Sequence, residues 1–533
     1  MSRDTVDPNT LRLGTFPRQC IGKCNNPIST GLIINGISPM HVVLLFFCLA
    51  LSALAADRPN IVFIMADDMG YGDVGCYNAG SKIPTPHMDR LAREGMRFTD
   101  AHSSAAFCTP SRYALLTGRY CWRTQLKKSV LFNYEPPLIE HGRMTLASLL
   151  QQNGYRTGLF GKWHLGLGFS TKPGRRVDFH KPLPWYHGPD PDRRMSNSID
   201  FTKPVFEGPE TLGFDETFYT AGCSTDQQPF CFIANGKFLG MEGATYRNPK
   251  GSWRSGMAAP VWDNATVDAR FTDGAVRFIA ATDTTPKQQQ PRQPFFLYLP
   301  LSAPHSPHLV PQFAAGKSQA GVRGDMVWLV DHCVGRVMAA LDKHGLAENT
   351  LLIVTSDNGP LIGSVKIGER EGTAQISNGH RSAGKLRGYK GRPFEGGHRV
   401  PFIARWPGRI AKGTVNNDIF CHVDMLATTA ALIGARLPKE VCEDSENLLP
   451  AFFGKPTRRS PMVNQAGNGV KSLRDGPWKI ILGQGTNRVR PNKDKGMLFN
   501  LKIDPRETTN LWNRNPERVK AMRKLLNKIQ GEG

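Results

Sequence analysis

The chain has 533 residues, with 67 Lys or Arg against 45 Asp or Glu, so its formal net charge is +22. With 40% hydrophobic and 21% charged residues, the composition excludes an intrinsically disordered chain, and the length exceeds one ordinary core. Only one long apolar run occurs, which excludes a multispan membrane protein. The basic excess predicts an anionic partner, and composition alone leaves nucleic acid, a membrane surface and a polyanionic substrate open.

A leader is predicted at residues 1–56. Its apolar core, residues 42–56, is too short to span a bilayer comfortably but is typical of a signal peptide. Ala53-Leu54-Ala55 supplies a small-x-small cleavage pattern, so we expect export to the periplasm or to the outside. The leader carries two more basic than acidic residues, and the remaining chain therefore keeps a charge of +20.

Export also permits disulfide bonds. Eight cysteines follow the leader, and the spacing makes Cys223 with Cys231, or Cys421 with Cys442, plausible pairs. No Cys-x-x-Cys pair with zinc spacing occurs, so we do not expect a structural zinc site.

The predicted elements of residues 57–435 alternate between strand and helix. Residues 60–66 form a continuous apolar run that is typical of a strand buried on both faces. The predicted strands are residues 60–66, 96–101, 157–160, 295–299 and 351–355, and the predicted helices are residues 85–95, 145–154 and 325–341. This alternation indicates an α/β catalytic domain whose large, mostly parallel sheet is sandwiched by helices.

Two regions depart from this pattern. Between about residues 166 and 292 it dissolves into Pro, Gly, Arg and His, which indicates long functional loops or small appended sheets. Residues 436–533 contain the expected strands 471–482 and 497–501 and an amphipathic helix at 516–530, and we interpret them as a smaller α+β C-terminal domain.

A candidate nucleophile lies in the segment Cys-Thr-Pro-Ser-Arg, residues 108–112, which Leu-Thr-Gly follows at residues 116–118. Pro110 suits the first turn of a helix and Thr109 suits its cap, so Cys108 is expected at a helix N-terminus. Free amides, the helix dipole and Arg112 favour an anion there, which would make Cys108 a nucleophile of low pKa. Taken alone, Cys108 has the alternative interpretation of a small buried side chain.

A second motif, Gly-Tyr-Arg-Thr-Gly-Leu-Phe-Gly-Lys-Trp-His-Leu-Gly, occupies residues 154–166. Together, and in this order, the two motifs resemble the two signatures of the type I, formylglycine-dependent sulfatases, which are arylsulfatase-like members of the alkaline-phosphatase-like superfamily. The resemblance covers most of residues 58–520 and is weakest across 166–292. It implies an alkaline-phosphatase-like fold and a sulfuric ester hydrolase. It also implies that a formylglycine-generating or an anaerobic sulfatase-maturating enzyme converts Cys108 to Cα-formylglycine.

Acidic and amide side chains follow two of the predicted strands. Asp67 and Asp68 come directly after the first strand, and Asp357 and Asn358 follow the strand at 351–355. In a parallel sheet both pairs fall at the carboxyl edge, where ligands of such folds bind, although a solvated loop pair is the alternative for either one. Three carboxylates and one amide oxygen suit a hard cation such as Ca2+. The resemblance places one calcium ion at these four residues and adds an oxygen of the modified residue 108.

The resemblance also implies the remaining catalytic residues, which are Lys162, His164, His305 and Lys390. His308 competes with His305, and each of these residues taken alone has an ordinary structural explanation. In the implied mechanism, calcium, Arg112 and Lys162 hold the nucleophile and the sulfate oxygens while a hydroxyl of the hydrated aldehyde at position 108 attacks sulfur. His305 or Lys390 protonates the leaving group, and His164 assists the second hydroxyl, whose deprotonation releases sulfate.

Two other functions compete with sulfatase activity. One is a phosphatase, phosphodiesterase or phosphonate hydrolase of the same superfamily, but the two-zinc members usually carry Asp-His-Gly where this chain has Asp357-Asn358-Gly359. The other is a non-catalytic polyanion-binding protein. No nucleic-acid-binding pattern occurs, and we expect no membrane association once the signal is removed.

Two clusters favour a sulfated carbohydrate over a simple aryl sulfate. Aromatic and basic side chains mix in the variable region at Arg175, Arg176, His180, Trp185, Tyr186, His187, Arg193 and Arg194, where an exposed loop is an equal interpretation. Basic residues also cluster in one later stretch at Arg381, Lys385, Arg387, Lys390, Arg392 and Arg399. Because charges of one sign focus the field, the second cluster favours a sulfated polyanion.

Overall fold

The computed structural model describes residues 58–175, 194–282, 293–361, 377–438, 440–482 and 496–531. The predicted leader, its apolar core 42–56 and the segment 176–193 of the variable region lie outside these residues. No helix in the described part of the chain combines the length and the apolar character needed to cross a membrane.

The strands and helices are numbered in chain order. The strands are β1 (Asn60–Ala66), β2 (Met96–Phe98), β3 (Ala101–His102), β4 (Arg156–Lys162), β5 (Glu216–Thr220), β6 (Ile233–Ala234), β7 (Lys237–Phe238), β8 (Thr245–Arg247), β9 (Gly256–Ala258), β10 (Phe295–Pro300), β11 (Thr350–Ser356), β12 (Phe402–Arg405), β13 (Thr414–Asn416), β14 (Phe420–Cys421), β15 (Met462–Gln465), β16 (Lys471–Asp475), β17 (Trp478–Leu482) and β18 (Gly496–Asn500). The helices are α1 (Pro86–Glu94), α2 (Cys108–Thr117), α3 (Leu146–Gln152), α4 (Arg194–Ser198), α5 (Val267–Ala281), α6 (Gly321–Lys343), α7 (Glu395–His398), α8 (Met425–Ile433), α9 (Leu449–Phe452) and α10 (Pro516–Gly531).

One large sheet organises the fold, with the strand order β13-β2-β12-β11-β1-β10-β4-β5-β6-β7 among the described residues. Its five central strands, from β11 to β5, are parallel, and antiparallel pairs flank them on both sides. In the centre Ile64 lies opposite Leu299 on β10 and Val354 on β11. Every residue of β1 and β11 is buried, because helices cover both faces of the sheet. The predicted α/β fold with a mostly parallel sheet is confirmed.

Several predicted boundaries shift. The stretch 96–101 forms two short strands, β2 and β3, which belong to different sheets. The predicted strand 471–482 is a hairpin of β16 and β17, because Gly476 adopts a left-handed conformation (φ +52°) and reverses the chain. The described residues between 166 and 292 are less irregular than expected, since they supply strand β5 to the main sheet and the 15-residue helix α5.

A smaller antiparallel sheet lies toward the C-terminus, with the strand order β15-β16-β17-β18. Helix α10 packs on it through an apolar stripe, since Val519, Met522 and Leu526 share a buried cluster with Leu473 and Ile480. The smaller C-terminal sheet unit is therefore confirmed, whereas its boundary at residue 436 stays a prediction.

The plausible disulfides are not formed. All eight cysteines that the structure describes are free, including Cys223, Cys231, Cys421 and Cys442. The reason at Cys223 is its position, because its Sγ lies 3.4 Å from Nδ1 of His305 and 3.5 Å from Nζ of Lys162. Spacing along the chain carries no information about such non-local contacts.

Gly161 is required where β4 meets β10. Its φ is +155°, and a Cβ there would lie 2.0 Å from the carbonyl oxygen of Pro300. We predict that Gly161→Ala lowers the free energy of unfolding by about 1–3 kcal/mol, since the two strands must separate. Urea unfolding measures the change. Gly80→Ala, where the nearest atom would be 3.5 Å away, is the control, and equal stability of the two variants would contradict the prediction.

Candidate active site

The carboxyl ends of the central strands converge on one point. The backbone NH of Asp357 donates to the carbonyl of Ala66 (3.0 Å), and the NH of Asp68 donates to Oδ1 of Asp357 (3.2 Å). Asp67 is tied to the end of β10, because its NH donates to the carbonyl of Ala303 (3.0 Å). The residues that follow β1, β10 and β11 therefore form one buried cluster.

Asp68 turns into the cluster because its backbone is left-handed, with φ +68°. Such a conformation is uncommon for a residue other than glycine, although Asp tolerates it better than most. Nη2 of Arg323 donates to the carbonyl of Asp68 (2.9 Å) and to Oδ2 of Asp73 (2.7 Å). This buried Arg323–Asp73 pair holds the turn that directs the Asp68 carboxylate at its neighbours.

Three carboxylates and one amide oxygen come together here. Nδ2 of Asn358 donates to Oδ1 of Asp68 (2.7 Å), whereas Oδ1 of Asn358 is buried and has no hydrogen-bond partner among the described residues. Burial, followed by the charge of Asp67, raises the pKa of Asp357 to about 6. Ligand atoms of Asp67, Asp68, Cys108 and His305 lie within 4.8 Å of one another. Crowded carboxylates beside an unsatisfied amide oxygen fit a hard divalent cation.

Cys108 is the first residue of α2, and Phe107 takes the cap position that the sequence assigned to Thr109. The Thr109 hydroxyl instead donates to the carbonyl of His164 (3.0 Å). Sγ of Cys108 lies 3.4 Å from Oδ1 of Asp67. Burial and then the Asp67 charge raise the pKa of the Cys108 thiol well above its usual value. The expected low pKa is therefore wrong, because desolvation and a carboxylate outweigh the helix N-terminus.

Arg112 and Lys162 bring positive charge to the carboxylates. Arg112 donates from Nε (3.1 Å) and Nη2 (2.9 Å) to Oδ2 of Asp357, and its Nη2 lies 3.5 Å from Asp67. Nζ of Lys162, the last residue of β4, donates to Oδ2 of Asp67. Burial alone would raise the pKa of Asp67, but Lys162, His305 and Arg112 hold that pKa well below its ordinary value.

Lys390, on the loop that precedes α7, contacts the same cluster. Its Nζ lies 2.7 Å from Oδ1 of Asp68 and 5.7 Å from the centroid of the Phe107 ring. Burial would lower the pKa of Lys390, yet Asp68 and the other nearby anionic groups keep that pKa well above its usual value. Lys390 is therefore a positive charge at neutral pH.

His305 lies beside the carboxylates, with Nε2 3.9 Å from Oδ2 of Asp68. Burial, then the charge of Lys390, lowers the pKa of His305 to about 4, so its ring is neutral at pH 7. Asp268 on α5 holds the loop before it, accepting from the NH groups of Ser302 (2.6 Å) and Ala303 (3.0 Å). The structure brings His305, and not its competitor His308, within reach of the candidate cation ligands.

His164 lies just beyond β4 in a left-handed conformation, with φ +58°. Its Nε2 bonds the carbonyl of Leu131 (2.9 Å), while the buried Nδ1 has no partner within the described part of the chain. Burial and then the charge of Lys162 hold the pKa of His164 well below its usual value. A neutral ring that donates from Nε2 leaves Nδ1 as a free proton acceptor.

Three residues of this arrangement escaped the sequence analysis. Cys223 was considered only as a disulfide partner, although it follows β5 at the same edge of the sheet as Asp67 follows β1. Arg323 and Asp268 lie on helices, and a single sequence does not indicate that their side chains hold the turns at Asp68 and His305. Cys223 could have been found by the rule that identified the acidic pairs, namely that residues following parallel strands meet at the carboxyl edge of the sheet.

Comparisons with known proteins agree with this geometry. A profile of the family described as Sulfatase matches residues 59–435. The N-acetylgalactosamine-6-O-sulfatase of Bacteroides thetaiotaomicron is 31% identical over 519 residues, covering 89% of this chain and 94% of that protein. Human arylsulfatase A is 34% identical over 509 residues, covering 90% and 89%.

Solved structures give the same result. A sulfatase structure from a study of glycosaminoglycan metabolism by Bacteroides thetaiotaomicron superposes with a TM-score of 0.75 at 30% identity, covering 90% of this chain and all of that one. A sulfatase from Pseudoalteromonas sp. has a TM-score of 0.66 at 25% identity, covering 93% and 95%. The fold and the relatives define a hydrolase of sulfuric esters. The chain belongs to the sulfatase family, and the predicted family and enzyme class are confirmed.

Helix α6 offers a matched test of the Asp68 turn. Arg323→Met should lower the free energy of unfolding by about 3–5 kcal/mol, because it leaves the Asp73 carboxylate buried next to His380 without its main cation. Arg336→Met on the same helix breaks only the partly exposed pair with Asp273 and should cost at most about 1 kcal/mol. Chemical denaturation of both variants measures the difference, and similar losses would contradict the assigned role of Arg323.

Proposed function

We propose that this sulfatase removes sulfate ester groups from a carbohydrate, with residue 108 acting as Cα-formylglycine. The observation that carries the proposal is the buried cluster in which Cys108 lies against Asp67, while Lys162 pairs with Asp67 and Arg112 pairs with Asp357. The motif at residues 108–112 supports the modified form, and burial with the Asp67 charge raises the pKa of the unmodified thiol. The similarity to an N-acetylgalactosamine-6-O-sulfatase supports a sulfated saccharide as the substrate.

The metal part of the proposal rests on the donor set. Asp67, Asp68, Asp357 and Asn358, with residue 108, would hold one Ca2+, and the unsatisfied Oδ1 of Asn358 supports this assignment. When bound, the cation would stabilise negative charge on the sulfate oxygens. The Asn at 358 also favours sulfatase chemistry over the two-zinc phosphatase alternative.

The remaining residues would bind the sulfate oxygens or transfer protons. Lys162 and Arg112, fixed by Asp67 and Asp357, would hold the nonbridging sulfate oxygens. His164 would accept a proton at Nδ1, which is buried and unpartnered among the residues described. His305 or Lys390 would deliver a proton to the leaving oxygen, and both lie beside Asp68. Lys390 carries that proton at neutral pH because its pKa is raised, whereas the neutral His305 would first have to gain one.

We also propose an exported enzyme, periplasmic or secreted, that a formylglycine-generating or an anaerobic sulfatase-maturating enzyme modifies. The support is the apolar core at residues 42–56 and the motif at residues 108–112.

Replacing the nucleophile gives the most direct test. Cys108→Ala should reduce sulfatase turnover to background, because no other group at this position can supply the attacking oxygen. Initial rates on an aryl sulfate and on a sulfated monosaccharide measure the effect. Cys442→Ala, at a half-buried free cysteine, controls for the loss of a thiol. Full activity of Cys108→Ala would refute the mechanism, and mass spectrometry that found an unmodified thiol at position 108 in fully active enzyme would refute the modification.

The cation gives a second test. Asp357→Ala should lower turnover by about 100-fold or more and abolish its dependence on added Ca2+, because it removes a ligand and the partner of Arg112. Rates before and after chelation, with an aryl sulfate and the matching aryl phosphate, provide the measurement. Chelation should inactivate the wild-type enzyme but leave the residual rate of Asp357→Ala unchanged. Faster hydrolysis of the phosphate than of the sulfate would favour the phosphatase alternative.

A further inference from the structure

We infer that four cations on the chain segments around Phe107, the residue that precedes position 108, form a subsite for a second anionic group on the substrate. They come from three segments of the chain, and we call them the cationic rim: Lys127, Lys128, Arg392 and Lys471. The inference rests on the proposed function, because it concerns the same substrate at the same site. It narrows that substrate to saccharides that carry at least two anionic groups.

The first argument is position. Phe107 directly precedes Cys108, and two glycines press on its ring, since a Cβ on Gly391 or on Gly467 would lie 2.8 Å or 1.8 Å from a ring atom. The NH of Gly467 donates to the carbonyl of Gly391 (3.1 Å), which joins the two loops over the ring. Arg392 follows Gly391 along the chain, so its backbone lies beside the loop contact on Phe107, the residue that precedes position 108.

Lys127 and Lys128 lie on a third segment of the chain, which contacts the loop at Gly467. The NH of Ser129 donates to the carbonyl of Gly467 (2.8 Å), and Nε2 of Gln465 donates to the carbonyl of Lys127 (2.9 Å). A few residues further on, Leu131 donates its NH to the Thr109 hydroxyl (3.2 Å) and accepts from His164. Three residues span at most about 11 Å, so the backbone at Lys128 lies within that distance of Leu131, a direct neighbour of the site.

The second argument is charge. Nζ of Lys127 donates to the carbonyl of Trp122 (2.8 Å), and Nζ of Lys471 lies 5.1 Å from the centroid of the same indole. Both ammonium groups therefore lie at the same tryptophan, and burial followed by the charge of Lys127 lowers the pKa of Lys471. In the described part of the chain, no carboxylate forms an ion pair with any of the four cations of the rim.

This arrangement differs from that of the buried cations. Arg112, Lys162 and Lys390 each contact a carboxylate, so their charges are compensated within the protein. Lys127 and Lys128 are exposed, and their charge remains available to an external anion. Closely spaced cations beside a site focus the field and raise the local concentration of anionic substrates.

The ligand chemistry follows from these side chains. Lysine ammonium groups and a guanidinium donate hydrogen bonds to sulfate and carboxylate oxygens alike. With one sulfate ester held between Arg112 and Lys162, the rim would bind a sulfate or a carboxylate on the same sugar or on its neighbour. The substrate class is therefore a multiply anionic saccharide.

The test uses the full-length enzyme with the double change Lys128→Gln and Lys471→Gln. The quantity measured is the KM for a disaccharide with two sulfates, and for one with a sulfate and a carboxylate, each relative to the KM for the monosulfated sugar. For the group that the rim binds, this ratio should rise by about tenfold, since exposed charge contacts are each worth a few-fold in affinity. The salt dependence of KM should fall at the same time. Lys412→Gln, at an exposed lysine before β13, is the matched control and should leave every value unchanged.

An unchanged KM ratio in the double variant overturns the inference. Equal KM values for singly and doubly anionic sugars in the wild-type enzyme also overturn it. If the KM ratio of the double variant rises for the disulfated sugar alone, the second group is a sulfate. If the ratio rises for the carboxylate sugar alone, the second group is a uronate. If the enzyme hydrolyses no sulfate ester, the proposed function fails separately. Equilibrium binding of the disulfated sugar to Cys108→Ala, with and without the rim changes, then still decides whether the rim binds a second anion.

Discussion

The fold has to satisfy one constraint above all: buried carboxylates at the carboxyl edge of the central sheet must be compensated by cations. Three carboxylates meet there in a buried cluster, since Arg112 contacts both Asp67 and Asp357 and the NH of Asp68 donates to Asp357. Buried like charges so close together are tolerated only when cations compensate them. Arg112, Lys162 and Lys390 do so from three separate segments of the chain. Because each partner is buried, the loss of one leaves an unpaired charge, so the surrounding structure has to hold all of them in register.

The C-terminal sheet contributes to that register. Nζ of Lys479 on β17 lies 3.0 Å from Oε1 of Glu395 and 2.9 Å from Oε1 of Glu507, and all three side chains are buried. Oε2 of Glu507 also accepts from the NH of Glu395 (2.7 Å), which lies in the same segment as Lys390. This second buried network, together with the contact of Gly467 on the Phe107 ring, makes the C-terminal unit part of the support of the active site.

Local patterns in the sequence were sufficient for much of the fold. Strand β1 was predicted at its observed bounds, because after Asn60 a strand buried on both faces leaves no polar positions. Boundaries failed where a turn interrupts a run of strand-forming residues, as at Gly476, and at α2, where Phe107 rather than Thr109 precedes the helix. The pKa of Cys108 was mispredicted because the helix terminus is a local feature, whereas burial and the Asp67 charge are not.

The sequence by itself determined the family, through its two motifs, and the chemical character of the site, through side chains that follow buried strands. Only the tertiary structure decided which groups touch: that Asp357 pairs with Arg112, that Cys223 lies between Lys162 and His305, and that Arg323 holds the Asp68 turn. It also decided that the four residues of the cationic rim lack carboxylate partners among the described residues. The physical reason is that residue type and spacing set what a side chain can do, whereas its partners come from segments hundreds of residues away.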